Sequence, residues 1–176
     1  DVIPKLQGDV GNHGQYDWWV VKLKDNGAIE WQRCLGGSNL DEPSSIIENM
    51  DGDYVIAGSE KENSGGNINS NNGESDFWIV KLDANGNIKG NKTLGGSSYE
   101  NAHCIIQSND GDYIIVGGSE SNDKDVAPIP GDHGNHGDFD YWIVKLSHCI
   151  DNGIFSDIKL DASNNPVCQG KLVTIK

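Results

Sequence analysis

Asp76-Phe77-Trp78-Ile79-Val80-Lys81-Leu82 decides the fold of this chain, because the same seven positions return as Asp17-Trp18-Trp19-Val20-Val21-Lys22-Leu23 and as Asp140-Tyr141-Trp142-Ile143-Val144-Lys145-Leu146. The Trp at the third position recurs after 59 residues (19 to 78) and again after 64 (78 to 142). Self-similarity at such a period marks a repeated supersecondary unit. Two further anchors hold the register between these runs. Leu35-Gly36-Gly37-Ser38 matches Leu94-Gly95-Gly96-Ser97, and Asp51-Gly52-Asp53-Tyr54 matches Asp110-Gly111-Asp112-Tyr113.

Each repeat reads as four short strands, since β-branched and aromatic runs are separated by turn dipeptides. Asn26-Gly27, Asn85-Gly86, Asn152-Gly153, Asp51-Gly52 and Asp110-Gly111 supply the positive φ that a tight, two-residue hairpin turn needs. Trp78-Ile79-Val80 and Ile114-Ile115-Val116 are apolar without alternation, so both faces of those strands are expected to be covered by other sheets. The expected fold is all-β: tandem four-stranded antiparallel blades of β-propeller type, about two and a half of them. Closed propellers use four or more blades, so the array is open unless more chain or other subunits complete it.

From about Asp17 to Leu146 the chain resembles the bacterial seven-bladed β-propeller repeat of secreted and surface proteins, whose units run roughly Asp-x-Phe-Val-x-Lys-Leu, Asn-Gly, Leu-Gly-Gly-Ser, then Asp-Gly-x-Tyr-Val-x-Gly. The resemblance implies strands at 102–108, 113–119, 141–147 and about 154–160. Val167-Cys168-Gln169-Gly170-Lys171-Leu172-Val173-Thr174-Ile175 resembles the opening strand of the immunoglobulin-like modules that follow such repeats. The implied organisation is a repeat array over 1–160 and, over 161–176, a linker with the first strand of a following or partner-completing β module. It also implies an extracellular or cell-surface setting. Bare blade faces leave two outcomes: a piece of a longer protein, or copies that stack through open faces and strand edges into a ring or filament.

Composition narrows the partners. With 13 basic and 27 acidic residues the formal charge is −14, which repels nucleic acid and anionic membranes. No apolar run reaches the length that spans a bilayer, and a chain starting at Asp1 without a leader reads as processed or excised. Cys34, Cys104, Cys149 and Cys168 match no Cys-x-x-Cys metal pattern. Cys149 and Cys168 flank a short segment and suit a disulfide in an oxidising compartment; buried thiols are the alternative.

Several residues are candidates for function. The connections at about 60–75 and 120–139 exceed what hairpins need, and such excess often carries function. Gly11-Asn12-His13-Gly14 returns as Gly134-Asn135-His136-Gly137 at the same distance before the Trp. Asn12, His13, His133, Asn135 and His136 are therefore ligand candidates, the alternative being a His that caps a turn. Asn122, Asp123 and Asp125, with Asp132 beyond them, offer hard oxygens for Ca²⁺, although the loop lacks the full EF-hand pattern and solvated acids would read the same way. Asp17, Asp76 and Asp140 stand at one place in all three repeats, which points to a cap, since a catalytic acid is needed once. Trp19, Trp78 and Trp142 read as blade-to-blade core. Asn91-Lys92-Thr93 fits the N-glycosylation acceptor pattern. No nucleophile with a placed base, phosphate loop or metal triad has useful spacing, so the chain reads as no enzyme. It is expected to be a structural, adhesive or assembly module whose partners are copies of itself, further blades, or surface glycans. The alternatives are a filament subunit and a carbohydrate-binding or lyase/hydrolase-type propeller.

Overall fold

The computed structural model describes residues 11–61, 65–68, 71–128, 134–147 and the short strand at 173–174. The strands run in chain order: β1 (Trp18–Leu23), β2 (Ile29–Leu35), β3 (Asp41–Glu48), β4 (Tyr54–Lys61), β5 (Ser75–Leu82), β6 (Ile88–Leu94), β7 (Glu100–Gln107), β8 (Tyr113–Ser119), β9 (Asp140–Leu146) and β10 (Val173–Thr174). Among the described residues a single 3₁₀ turn, Lys124–Val126, interrupts them. Three antiparallel sheets result, ordered β1-β2, β3-β4-β5-β6 and β10-β9-β8-β7, and they do not close into a barrel. The fold is the expected all-β series of tandem, open blades.

Strands β7, β8 and β9 fall within two residues of the segments expected at 102–108, 113–119 and 141–147. The segment 154–160 lies outside the described residues. The fourth place in the third sheet is taken by Val173–Thr174, with Val173 opposite Lys145 and Thr174 opposite Val144. That strand belongs to the stretch resembling an immunoglobulin-like opening, and here it extends the third blade.

The hairpin turns differ from expectation in one respect. Lys24 N donates to Ala28 O at 2.8 Å and Gly27 N to Lys24 O at 2.8 Å, so the loop has three residues with Gly27 at φ 81°. This is a type I turn closed by a left-handed glycine, not a two-residue turn. Asp83 to Asn87, Asn49 to Asp53 and Ser108 to Asp112 repeat the same bonds around Gly86, Gly52 and Gly111. A type I turn splays two strands unless an extra left-handed residue restores their twist, and glycine adopts that conformation at least cost.

Two cores lie between the three sheets. Trp18, Trp31, Leu35, Ile56, Ile68, Trp78, Val80 and Leu82 fill the space between the first and second. Val55, Ala57, Phe77, Ile79, Leu94, Ile105, Ile115, Trp142 and Val144 belong to the core between the second and third. Successive residues of β4 and β5 feed opposite cores, so all eight residues of β5 are buried. β9 alternates buried and more open positions, because no described sheet covers its second face.

Candidate functional site: the sheet faces and their junctions

The seven-residue run places two aromatic side chains on opposite faces of its strand. The ring at the second position packs on the Trp at the third position of the next sheet. Trp18 lies 4.4 Å from Trp78, centroid to centroid, and Phe77 lies 4.7 Å from Trp142. A glycine completes each socket: Gly58 pairs with Trp78 across the ladder, and Gly117 pairs with Trp142. A Cβ on Gly58 would stand 2.7 Å from Trp18 Cζ2, and one on Gly117 would stand 2.6 Å from Phe77 Cζ. Gly58 and Gly117, each four residues after the Tyr of an Asp-Gly-Asp-Tyr run, thus make room for the neighbouring sheet's aromatic ring.

The same rule identifies the two open ends. Trp19 occupies the position of Trp78 and Trp142, yet it is 68% exposed while they are buried. This corrects the expectation that all three are core: among the described residues no sheet lies against the face that carries Trp19. At the far end Tyr141, equivalent to Trp18 and Phe77, is 95% exposed. One end of the stack presents an uncovered Trp and the other an uncovered ring of the kind that covers it.

Each junction between sheets is locked by backbone as well as by rings. Tyr16 forms a parallel bridge to Leu40 and Ser75 one to Tyr99. Asp17, Asp76 and Asp140 each accept the amide N–H of the residue four positions earlier: His13, Asn72 at 2.5 Å, and His136 at 2.6 Å. They are turn caps. The Gly-Gly pair lets two carboxylates approach one point, for Cβ atoms on Gly36 and Gly95 would collide with Asp17 and Asp76. Asp41 accepts Gly37 N at 2.7 Å and Glu100 accepts Gly96 N at 2.6 Å. Burial, with the charge of Glu100 adding to it, pushes Asp76 up to about 6 against the bonds from Asn72 and Gly73. The half-buried Asp140 goes the other way, held below its usual range by the His136 amide and ring.

The long connections work as latches between sheets. Asn67 N donates to Gly36 O at 3.0 Å and its Oδ1 accepts Gly36 N at 3.3 Å. In the next repeat Asp125 N donates to Gly95 O at 3.3 Å and Asp125 Oδ2 accepts Gly95 N at 3.3 Å. Asp123 Oδ1 accepts Ser97 N at 2.7 Å, and Asn122 Oδ1 accepts Asn135 N at 2.5 Å. The oxygens considered for Ca²⁺ are thus turned toward three separate backbone amides.

In the Gly-Asn-His-Gly turns the asparagines add a second side-chain cap to that of the aspartates. Asn12 Oδ1 accepts Gly14 N at 2.9 Å and Asn135 Oδ1 accepts Gly137 N at 2.8 Å. Asn135, His136 and Asp140 line a shallow hollow with Ser121 and Trp142. His133, Asp132, Cys149 and Cys168 lie outside the described residues. Asn91 is built into β6, its Nδ2 donating to Asn67 O at 3.0 Å and its Oδ1 accepting Trp78 Nε1 at 3.4 Å. That engagement does not suit the surface loop a glycan needs.

The repeated Lys and Asp-Gly-Asp residues pair within a sheet. Asp53 lies 3.1 Å from Lys81 and 2.8 Å from Lys89. Burial would raise its carboxyl, but the two ammonium groups outweigh burial and hold it below the usual range. Lys145 likewise meets Asp110 at 2.8 Å and Asp112 at 3.0 Å.

One cluster joins a ligand candidate of the sequence, His13, to Asp17 and Cys34, which the sequence does not place beside it. His13 Nδ1 lies 3.6 Å from Asp17 Oδ2, and Cys34 Sγ lies 3.4 Å from the same oxygen. The three donor atoms fall within 4.8 Å of one another. Sheet register brings them together: Trp19 pairs with Cys34, and Asp17 stands one position beyond Trp18 on the same strand line. Cys-x-x-Cys spacing cannot reveal donors 21 residues apart; the signal is that repeat one carries His and Cys where repeat two carries Asn72 and Thr93. No protein-family model matches the chain, and no curated protein matches it.

Proposed function

We propose that this chain is a non-enzymatic, extracellular structural and assembly module, built of β-propeller-type repeats, that works by stacking its open sheets on further copies or further blades. One observation supports this reading above the rest. The uncovered Tyr141 at one end is the counterpart of the rings that cover Trp78 and Trp142, and the uncovered Trp19 at the other end is the counterpart of the Trp they cover. An interface joining two different patches is heterologous, so it propagates into a ring or a filament. Exposed apolar faces of this kind mark association sites. The −14 charge opposes association at low salt, which makes assembly favoured by screening.

Sedimentation velocity over a concentration series, with negative-stain images of the concentrated sample, tests the proposal. The wild-type chain is expected to grow with concentration and with salt. Trp19→Lys and Tyr141→Lys each destroy one end and are expected to be monomeric alone. Mixed, they retain one intact end each and are expected to stop at a heterodimer. A chain that stays monomeric throughout, or variants that assemble like wild type, would overturn the reading.

A further inference from the structure

We propose that His13, Asp17 and Cys34 form a binding site for Zn²⁺ or a similar borderline transition-metal ion in the first sheet, at its junction with the second. The donor set comes first. An imidazole nitrogen, a carboxylate oxygen and a sulfur select Zn²⁺ and its neighbours over Ca²⁺ or Mg²⁺, which take oxygen ligands.

The spacing agrees with that chemistry. Tetrahedral bonds of about 2.0 to 2.3 Å place neighbouring ligand atoms roughly 3.3 to 3.7 Å apart. The observed separations from Asp17 Oδ2 are 3.6 Å to His13 Nδ1 and 3.4 Å to Cys34 Sγ. Three protein ligands leave a fourth position for water.

A second, independent observation points the same way. The His13 side chain is 11% exposed and both of its ring nitrogens are buried without a hydrogen-bond partner, whereas the unpartnered Oδ1 of Asp17 is matched by Asp76 Oδ1 in the second repeat and is common to both. Orphaned buried donors and acceptors of this kind are costly unless something satisfies them. A divalent ion bound by one carboxylate and one thiolate leaves no net charge at the site. Binding requires the thiolate and so releases the thiol proton to solvent.

The second repeat supplies an internal control. The same backbone there carries Asn72, Asp76 and Thr93, so the aspartate remains while both softer donors are gone. Asp17 is therefore a cap in common with its equivalents, and the nitrogen and sulfur are what set the first repeat apart. Cys34 is half-buried, which leaves a path for an ion.

The test uses the reduced, chelator-stripped full chain titrated with Co²⁺ as spectroscopic probe, then with Zn²⁺ in competition. Expected are a thiolate-to-cobalt charge-transfer band, intense tetrahedral ligand-field bands, and their displacement by one equivalent of Zn²⁺. Cys34→Thr, which copies the second repeat, should abolish the charge-transfer band, whereas Cys104→Ser should keep it. His13→Asn should weaken Zn²⁺ binding by at least about 10-fold and gives a separate reading should Cys34→Thr not fold. Absence of a thiolate band, its persistence in Cys34→Thr, or unchanged Zn²⁺ affinity in His13→Asn would each overturn the proposal. None of these readouts depends on self-association.

Discussion

Phe77→Ala and Tyr141→Ala remove side chains from equivalent positions of two repeats, and the stacking rule says that their costs differ widely. Phe77 is fully buried against Trp142 at 4.7 Å and Gly117, whereas Tyr141 is 95% exposed. Truncating a buried Phe to Ala costs about 3–5 kcal/mol, because the lost transfer energy is joined by the cavity left between two sheets. An exposed substitution stays within about 0.5 kcal/mol. Urea unfolding followed by circular dichroism, on protein dilute enough to sediment as a single species, measures both. At roughly 2–4 °C per kcal/mol for a chain of this size, Phe77→Ala should also melt at least about 6 °C lower. Trp78→Ala against Trp19→Ala is the mirror experiment and should divide the same way. Equal losses within either pair would refute the assignment of covered and open faces. At high concentration the order changes for association alone, with Tyr141→Ala now impaired.

Further expectations attach to the junctions. Asp76 has its carboxyl raised from 3.8 to about 6, so between those values the folded chain holds more protons than the unfolded one and stability falls as pH rises. That penalty is roughly 3 kcal/mol at 1.36 kcal/mol per unit, and Asp76→Asn should remove the slope and leave the protein at least as stable at pH 7; a slope that survives in the variant would show that it arises from some group other than Asp76. Gly95→Ala sets a Cβ 2.6 Å from Glu100 Oε2 and closer still to Asp76, and should destabilise by about 1–3 kcal/mol in thermal melts. Because Asp123 and Asp125 already accept backbone amides, chelation followed by a Ca²⁺ titration should leave the melting temperature unchanged; a rise on Ca²⁺ addition would show that the latch loop takes the ion.

Repeat number, strand order and turn positions are legible because each is written locally: the seven-residue run, the Gly-Gly pair and the Asp-Gly-Asp turn recur in fixed order. Periodicity says which residues are equivalent, but it does not say which copy has a neighbour. Periodicity alone therefore makes Trp19 core and gives no weight to Trp18, which does the packing. The acids Asp123 and Asp125 look like ion ligands in sequence because their targets, the amides of Ser97 and Gly95, lie about 30 residues away, and nothing in the Leu-Gly-Gly-Ser anchor that holds them says which side chain they meet. The His13–Cys34 meeting is hidden for a related reason, since it depends on cross-strand register and not on spacing along the chain. Its trace is chemical: two donor residues standing where a sister repeat keeps an amide and a hydroxyl.

The most direct test of the stacking rule is an NMR measurement of nuclear Overhauser contacts between aromatic rings in the dilute chain. Ring protons of Trp18 should cross-relax with those of Trp78, and Phe77 with Trp142, as centroid distances of 4.4 and 4.7 Å require, while Trp19 and Tyr141 should show no contact to another repeat's rings. Contacts of Trp19 with Trp78, or the absence of either expected pair, would contradict the rule on which the open ends and the assembly they support both rest.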